Sequence, residues 1–165
     1  ERCYSMSNFI TRFADVVKIP QPQLMTNDLN QLADNCIQTM ETKCAENNIN
    51  IHKDFADGEV LINVDSELIE QVIVNIIKNA AESIGQNGDI YCKTLSSPTI
   101  LEISDTGEGI SEETQKKLFS PFFSTKPNGQ GIGLIFIREV LIKHHCRFSL
   151  KTYADGITRF RIEFV

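Results

Sequence analysis

The chain has too little cysteine of the right spacing, too few basic residues and too few consecutive apolar ones for several broad classes of function. Its five cysteines, Cys3, Cys36, Cys44, Cys92 and Cys146, are odd in number and scattered. No C-x-x-C pair offers a zinc site or a redox dithiol, and reduced thiols of a cytoplasmic protein are expected. Sixteen Lys and Arg stand against 22 Asp and Glu, a net charge of -6. That field repels polyanions, which argues against a nucleic-acid binder and means that a phosphate ligand needs local help. Nothing approaches the run of roughly 20 apolar residues that spans a bilayer, and the opening Glu1-Arg2-Cys3-Tyr4 is not a signal peptide. The chain begins on Glu1 rather than Met, so a piece of a longer protein is expected, with a partner domain or membrane segment upstream. Internal repeats and low-complexity tracts are also missing.

What remains is an ordinary globular composition over 165 residues, enough for one sizeable core. Phe9, Ile10, Phe13, Val16 and Val17 lie near helical spacing before Pro20 and Pro22, so residues 1–18 read as the tail of a longer helix. Asp28 is placed to cap a second helix carrying Leu29, Leu32, Ala33, Cys36, Ile37 and Met40 on one face. Alternation over 49–55 and 60–64, around Asp57-Gly58, predicts a hairpin. Asp65 caps a third helix that runs to Ile84 and stops at Gly85–Gly88. Strands at 90–95 and 100–104 form a second hairpin. A helix over 133–145 precedes two closing strands, 148–153 and 158–164. Mostly antiparallel strands with helices on one face make a two-layer α/β sandwich of the α+β class.

Chemistry is expected at three places. In the third helix, Leu68, Ile69, Val72, Ile73, Ile76, Ile77, Ala80 and Ile84 define one apolar arc, into which Asn79 projects, with Asn75 at its edge one turn earlier. A buried amide without partners costs about 1–3 kcal/mol, so Asn79 either bonds a nearby loop or offers its oxygen to a metal-bound phosphate. Next, Asp105-Thr106-Gly107-Glu108-Gly109-Ile110 follows a strand. Its carboxylate can accept from an amino group while the glycines admit a flat ligand; the same Asp-x-Gly also fits a tight turn. Last, Gly129-Gln130-Gly131-Ile132-Gly133 opens a helix whose amides and dipole suit phosphate. Its spacing and the lack of a βαβ unit exclude a dinucleotide-binding turn, and no G-K-[ST] follows to make a Walker A loop. The five glycines at 107, 109, 129, 131 and 133 make a long turn-rich stretch. Within it, Phe119, Phe122 and Phe123 are poor solvent-exposed residues, so a lid that packs on something is expected. Lys126 in that lid is either solvated or a charge for phosphate.

Taken in order, these segments resemble the ATP-binding catalytic domain of sensor histidine kinases, in the GHKL (Bergerat) superfamily that includes DNA gyrase, MutL-type repair proteins and heat-shock chaperone ATPases. Glu70 to Ala80 resembles the N box, Asp105 to Ile110 the first glycine box, Phe119 to Lys126 the F box and Gly129 to Leu134 the second glycine box. Residues 8–22 are similar to the exit from the dimerisation helices of nitrogen-regulation-type kinases, giving a division at 1–22 and 23–165. The phosphoacceptor box is absent: His52, His144 and His145 lack the flanking pattern and read as structural or solvated.

The resemblance implies ATP and Mg²⁺ as ligands. Asn79 and Asn75 are then the metal-side residues, with Lys126 completing the catalytic set. Asp105 takes the adenine amino group, with Gly107, Gly109, Ile110 and Thr158 around the base. Lys126, Gly129, Gly131, Gly133 and Leu134 serve the phosphates. Glu82 departs from the family pattern, which often has a basic residue there; Lys78 is the neighbouring charge. An amide at position 75, where ATP-hydrolysing members carry an acid, favours transfer to a histidine of the same protein's dimerisation domain. A response-regulator receiver domain is the further partner, in a homodimer formed through upstream helices, with the domain in the cytoplasm and the full-length protein anchored in the inner membrane. Two other readings share the motifs: a nucleotide-sensing module that has lost transfer, and an anti-sigma-type serine kinase.

Overall fold

Asp28 caps a helix where the sequence places it. The computed structural model describes residues 18–120, 123 and 132–165. In it the Asp28 carboxylate accepts from the Asn30 N–H at the head of α1 (Leu29–Glu46). The preceding residues form a short strand, β1 (Met25–Asp28), which the sequence pattern does not announce. Next come β2 (Ile49–Asp54), β3 (Leu61–Val64) and α2 (Ser66–Ile84). α2 is capped by Asp65, whose side chain accepts from the Leu68 N–H, and it ends on Gly85 at φ 74°. β4 (Gly88–Ser96) and β5 (Thr99–Asp105) form the expected hairpin. A four-residue helix, α3 (Glu112–Gln115), interrupts the turn-rich stretch, capped by Ser111. α4 (Gly133–Lys143), β6 (Arg147–Thr152) and β7 (Thr158–Glu163) complete the order.

The hairpin expected between 49–55 and 60–64 does not form. β2 pairs parallel with β4, while β3 pairs antiparallel with β1 in a separate two-stranded sheet. Backbone groups between β2 and β3 are taken by distant partners instead of by each other. The Asn30 amide donates to the carbonyls of Ala56 and Gly58, and the Ala56 N–H donates to the buried Thr94 hydroxyl. Asp28 accepts from the Val60 N–H. A local turn motif yields where tertiary partners satisfy the same groups and also bury apolar side chains.

The main sheet runs β2-β4-β5-β7-β6 and is mixed but mostly antiparallel, as expected for the two-layer α+β sandwich. α1, α2 and α4 cover one face. The α2 residues Leu68, Ile69, Val72, Ile73, Ile76, Ile77 and Ala80 are all buried, and each large one contributes roughly 1.5–3 kcal/mol by leaving water. Opposite them, alternation puts Leu101 and Ile103 of β5, and Ile162 and Phe160 of β7, into the same core. Glu102, Arg159 and Arg161 take the other face, where Glu102 pairs with both arginines. The free thiols among the described residues are Cys36, Cys44, Cys92 and Cys146.

Candidate nucleotide-binding site

The apolar rows on the helix-facing side of the sheet end in two polar residues. Leu101 pairs with Ile162 and Ile103 with Phe160; the next inward pair is Asp105 with Thr158. Both are almost closed to solvent, at 6% and 4% exposure. Burial pushes the Asp105 carboxyl above the ordinary carboxylate value, and hydrogen bonds from the Gly107 N–H and the Ser83 hydroxyl pull it back. The Gly107 N–H reaches Asp105 Oδ1 at 2.9 Å, an Asx-type turn. The tight-turn and ligand readings of Asp-x-Gly therefore coexist in one motif.

Gly107 serves packing as well as ligand approach. A Cβ there would lie 2.2 Å from Ser83 Oγ and 2.8 Å from the Ser83 carbonyl carbon, so the turn rests directly on the end of α2. Gly109 has φ 80°, a left-handed conformation suited to glycine. The N–H of half-buried Ile110 donates to Thr152 Oγ1 at 2.8 Å, and Thr152 Oγ1 lies 2.8 Å from Thr158 Oγ1. A chain of polar contacts thus joins Asp105, Gly107, Ile110, Thr152 and Thr158 at one end of the sheet.

Asn79 is half-buried, and this corrects its expected position inside the apolar arc: it stands at the margin of that face, as Asn75 does. Among the described residues neither amide side chain has a hydrogen-bond partner, which leaves both carbonyl oxygens available. Amide oxygens suit Mg²⁺, which takes few protein ligands and keeps waters, so the residues present fit that ion. Asn75, Asn79 and Ser83 are spaced i, i+4, i+8 and form one stripe along α2. At 1.5 Å rise per residue Asn79 lies about 6 Å and Asn75 about 12 Å along the axis from Ser83. The stripe ends where Ser83 touches Asp105, which brings the metal-side and base-side candidates onto one line.

Gly133 and Leu134 open α4, and no side chain among the described residues caps that helix end, which leaves its first amides without a capping partner there. Lys126, Gly129 and Gly131 lie outside the described residues, as do residues 1–17 of the helix tail expected over 1–18 and most of the expected lid. Within the lid segment, Leu118 is buried and the Phe119 ring meets Phe148 and Phe160 edge-on at 5.5 and 6.5 Å. Glu82 is exposed on α2. His144 proves structural, as expected, and buried.

Ser83 and Thr152 were not among the expected site residues. Ser83 was findable by extending the asparagine stripe one turn. Nothing local marks Thr152, since its role depends on β6 lying beside β7.

Residues 64–165, more than half of the chain, match the family described as histidine kinase-, DNA gyrase B- and HSP90-like ATPases. The chain belongs to this family. It is 28% identical over 155 residues to sporulation kinase C of Bacillus subtilis (strain 168), covering 90% of this chain and 36% of that protein. It is 32% identical over 160 residues to the C4-dicarboxylate transport sensor protein DctS of Rhodobacter capsulatus, covering 93% of this chain and 24% of that one. The catalytic domain of histidine kinase ThkA superposes with a TM-score of 0.79 at 26% identity, over 86% of this chain and 97% of that one. This GHKL domain is an ATP-binding catalytic domain of the sensor histidine kinase kind, and it spans about a third or less of the two protein relatives. No helix among the described residues is long and apolar enough to cross a membrane.

Proposed function

We propose that residues 23–165 bind Mg-ATP along the line from Asp105 to Asn75 and present the γ-phosphoryl group to a histidine on the same protein's helical dimerisation domain, from which a response-regulator receiver domain accepts it. The segment 1–22 is the exit from that dimerisation helix. The observation that carries this reading is the junction of Ser83 with Asp105 and Gly107, which sets a buried carboxylate at the head of the asparagine stripe.

The buried Asp105 carboxylate accepts the adenine amino group, while Thr158, Gly107, Gly109 and Ile110 shape the base site. Asn79, with Asn75 beside it, holds Mg²⁺. When bound, that ion neutralises charge on the phosphate oxygens. The amides at Gly133 and Leu134, together with Gly129, Gly131 and Lys126, hold phosphate in a domain whose net charge of -6 otherwise repels it. Phosphoryl transfer asks the protein chiefly to position the groups and stabilise charge. Asn75 has no titratable proton and is no general base, which favours transfer to histidine over hydrolysis. The full-length protein is a homodimer through its upstream helices, with this domain in the cytoplasm and an anchor in the inner membrane.

The deciding experiment supplies labelled ATP and a separate dimerisation domain carrying an acceptor histidine. Acid-labile phosphohistidine should form on the supplied domain and not on this chain. Stable label on this chain, or ATP binding without any transfer, would overturn the proposal.

A further inference from the structure

Ser83 makes two contacts with the turn that follows β5. Its hydroxyl oxygen and Asp105 Oδ1 flank the same point, 2.2 and 2.8 Å from where a Cβ at Gly107 would stand, and its carbonyl accepts from the Glu108 N–H at 3.4 Å. The approach is close enough that only glycine fits at position 107, 2.2 Å from the Ser83 hydroxyl oxygen to where a Cβ would stand. Asp105 Oδ1 is already occupied by the Gly107 N–H at 2.9 Å. The Gly107 N–H thus holds one oxygen of a nearly closed carboxylate that Ser83 stands beside, and a carboxylate held on two sides would present its remaining acceptor capacity in one direction.

We infer that Ser83 is a positioning residue for nucleobase selection: by donating to Asp105 it orients the carboxylate toward a purine's exocyclic amino group and locks the asparagine-bearing helix to the base-binding turn. Ser83 need not touch the nucleotide to do this. Its placement one turn beyond Asn79 also means that the base end and the metal end of the site move as one rigid element.

The inference rests on the proposed assignment of Asp105 to adenine, and the test separates the two. Binding of ATP and of purine riboside triphosphate, which lacks the amino group, is measured by calorimetry for the unaltered domain, Ser83→Ala and Asp105→Asn. The unaltered domain should prefer ATP. In Ser83→Ala the affinity for ATP should fall about 10- to 100-fold, the range for a hydrogen bond to a charged group, while the analogue binds as before. A purely structural role would weaken both ligands equally. Parallel loss for the two ligands, or no loss for ATP, overturns the role of Ser83 while leaving Asp105 in place if Asp105→Asn still removes the preference for ATP. Equal binding of ATP and analogue by the unaltered domain, unchanged in Asp105→Asn, removes the assignment of Asp105 and this inference with it.

Discussion

The backbone N–H of Asp65 donates to His144 Nε2 at 3.1 Å. A backbone N–H can only donate, so Nε2 carries a lone pair and the ring is neutral, with Nδ1–H donating to the Val140 carbonyl at 2.7 Å. The imidazole joins the end of α4 to the start of α2, the two helices that carry the phosphate-side and metal-side candidates. Lys143 Nζ, next door, donates to the Ile19 carbonyl, and the Gln23 N–H donates to Asp65 Oδ2. The segment entering the domain is therefore fastened to the same junction.

His144→Phe keeps the ring's bulk and removes both polar contacts. It should lower stability by about 1–3 kcal/mol, because the Asp65 N–H loses its acceptor in a closed place, while the Val140 carbonyl keeps the His144 backbone N–H. Urea unfolding followed by circular dichroism measures this, and an unchanged midpoint rejects it.

Asp105 should show a split between stability and binding. Burial raises its folded-state value above the ordinary 3.8. As pH falls toward that raised value, the folded state binds the proton first, so this group's contribution favours folding more strongly at acid pH and then levels off below 3.8. Nucleotide affinity moves the other way, since with one oxygen held by the Gly107 N–H the ionised carboxylate keeps the other as an acceptor for an amino group, and protonation weakens it. Asp105→Asn should accordingly keep or raise the melting temperature at pH 7 while losing at least tenfold in ATP affinity. Thermal melts and fluorescent-nucleotide titrations from about pH 4.5 to about pH 8 check both limbs. A destabilised variant that still binds ATP would contradict this account.

Gly107→Ala places a methyl group where the Ser83 hydroxyl and carbonyl carbon already stand. The turn must lift off α2, at a cost of about 1–3 kcal/mol, and Asp105 loses its alignment with it. Stability and ATP binding should fall together, in contrast to Asp105→Asn. Wild-type binding by Gly107→Ala would show that the turn's seating on Ser83 is immaterial.

Asn79→Ala removes a half-exposed amide that no described residue bonds, so stability should change by no more than about 0.5 kcal/mol. Magnesium dependence is the informative readout. Chelation should weaken ATP binding to the unaltered domain, whereas binding to Asn79→Ala should be weak with or without Mg²⁺. A variant that keeps its full response to Mg²⁺ would move the ion elsewhere.

Several features were legible before any coordinates. The caps Asp28 and Asp65, the glycine stop at Gly85 and the apolar face of α2 depend on residues within one or two turns of one another, and all appear as read. The β4–β5 hairpin follows from the same short-range rules. The β2–β3 hairpin was misread because its turn signal is local, while Asn30, Thr94 and Asp28, which claim the connecting backbone, stand many residues away in sequence. β1 went unnoticed for a related reason: four residues with polar centres become a strand only when β3 lies alongside.

The sequence by itself determined which chemical groups this domain has and in what order: two carboxamides a turn apart on an amphipathic helix, an aspartate after a strand, and glycines before another helix. Helical and strand periodicities are set by neighbouring residues, so such patterns survive translation into structure. Tertiary structure alone decided that the apolar rows of β5 and β7 terminate together at Asp105 and Thr158, that Ser83 closes on the Asp105 turn, and that His144 ties α4 to α2. Each of those contacts joins residues more than about 20 positions apart, and each exists because burying the core brings polar groups together that must then satisfy one another.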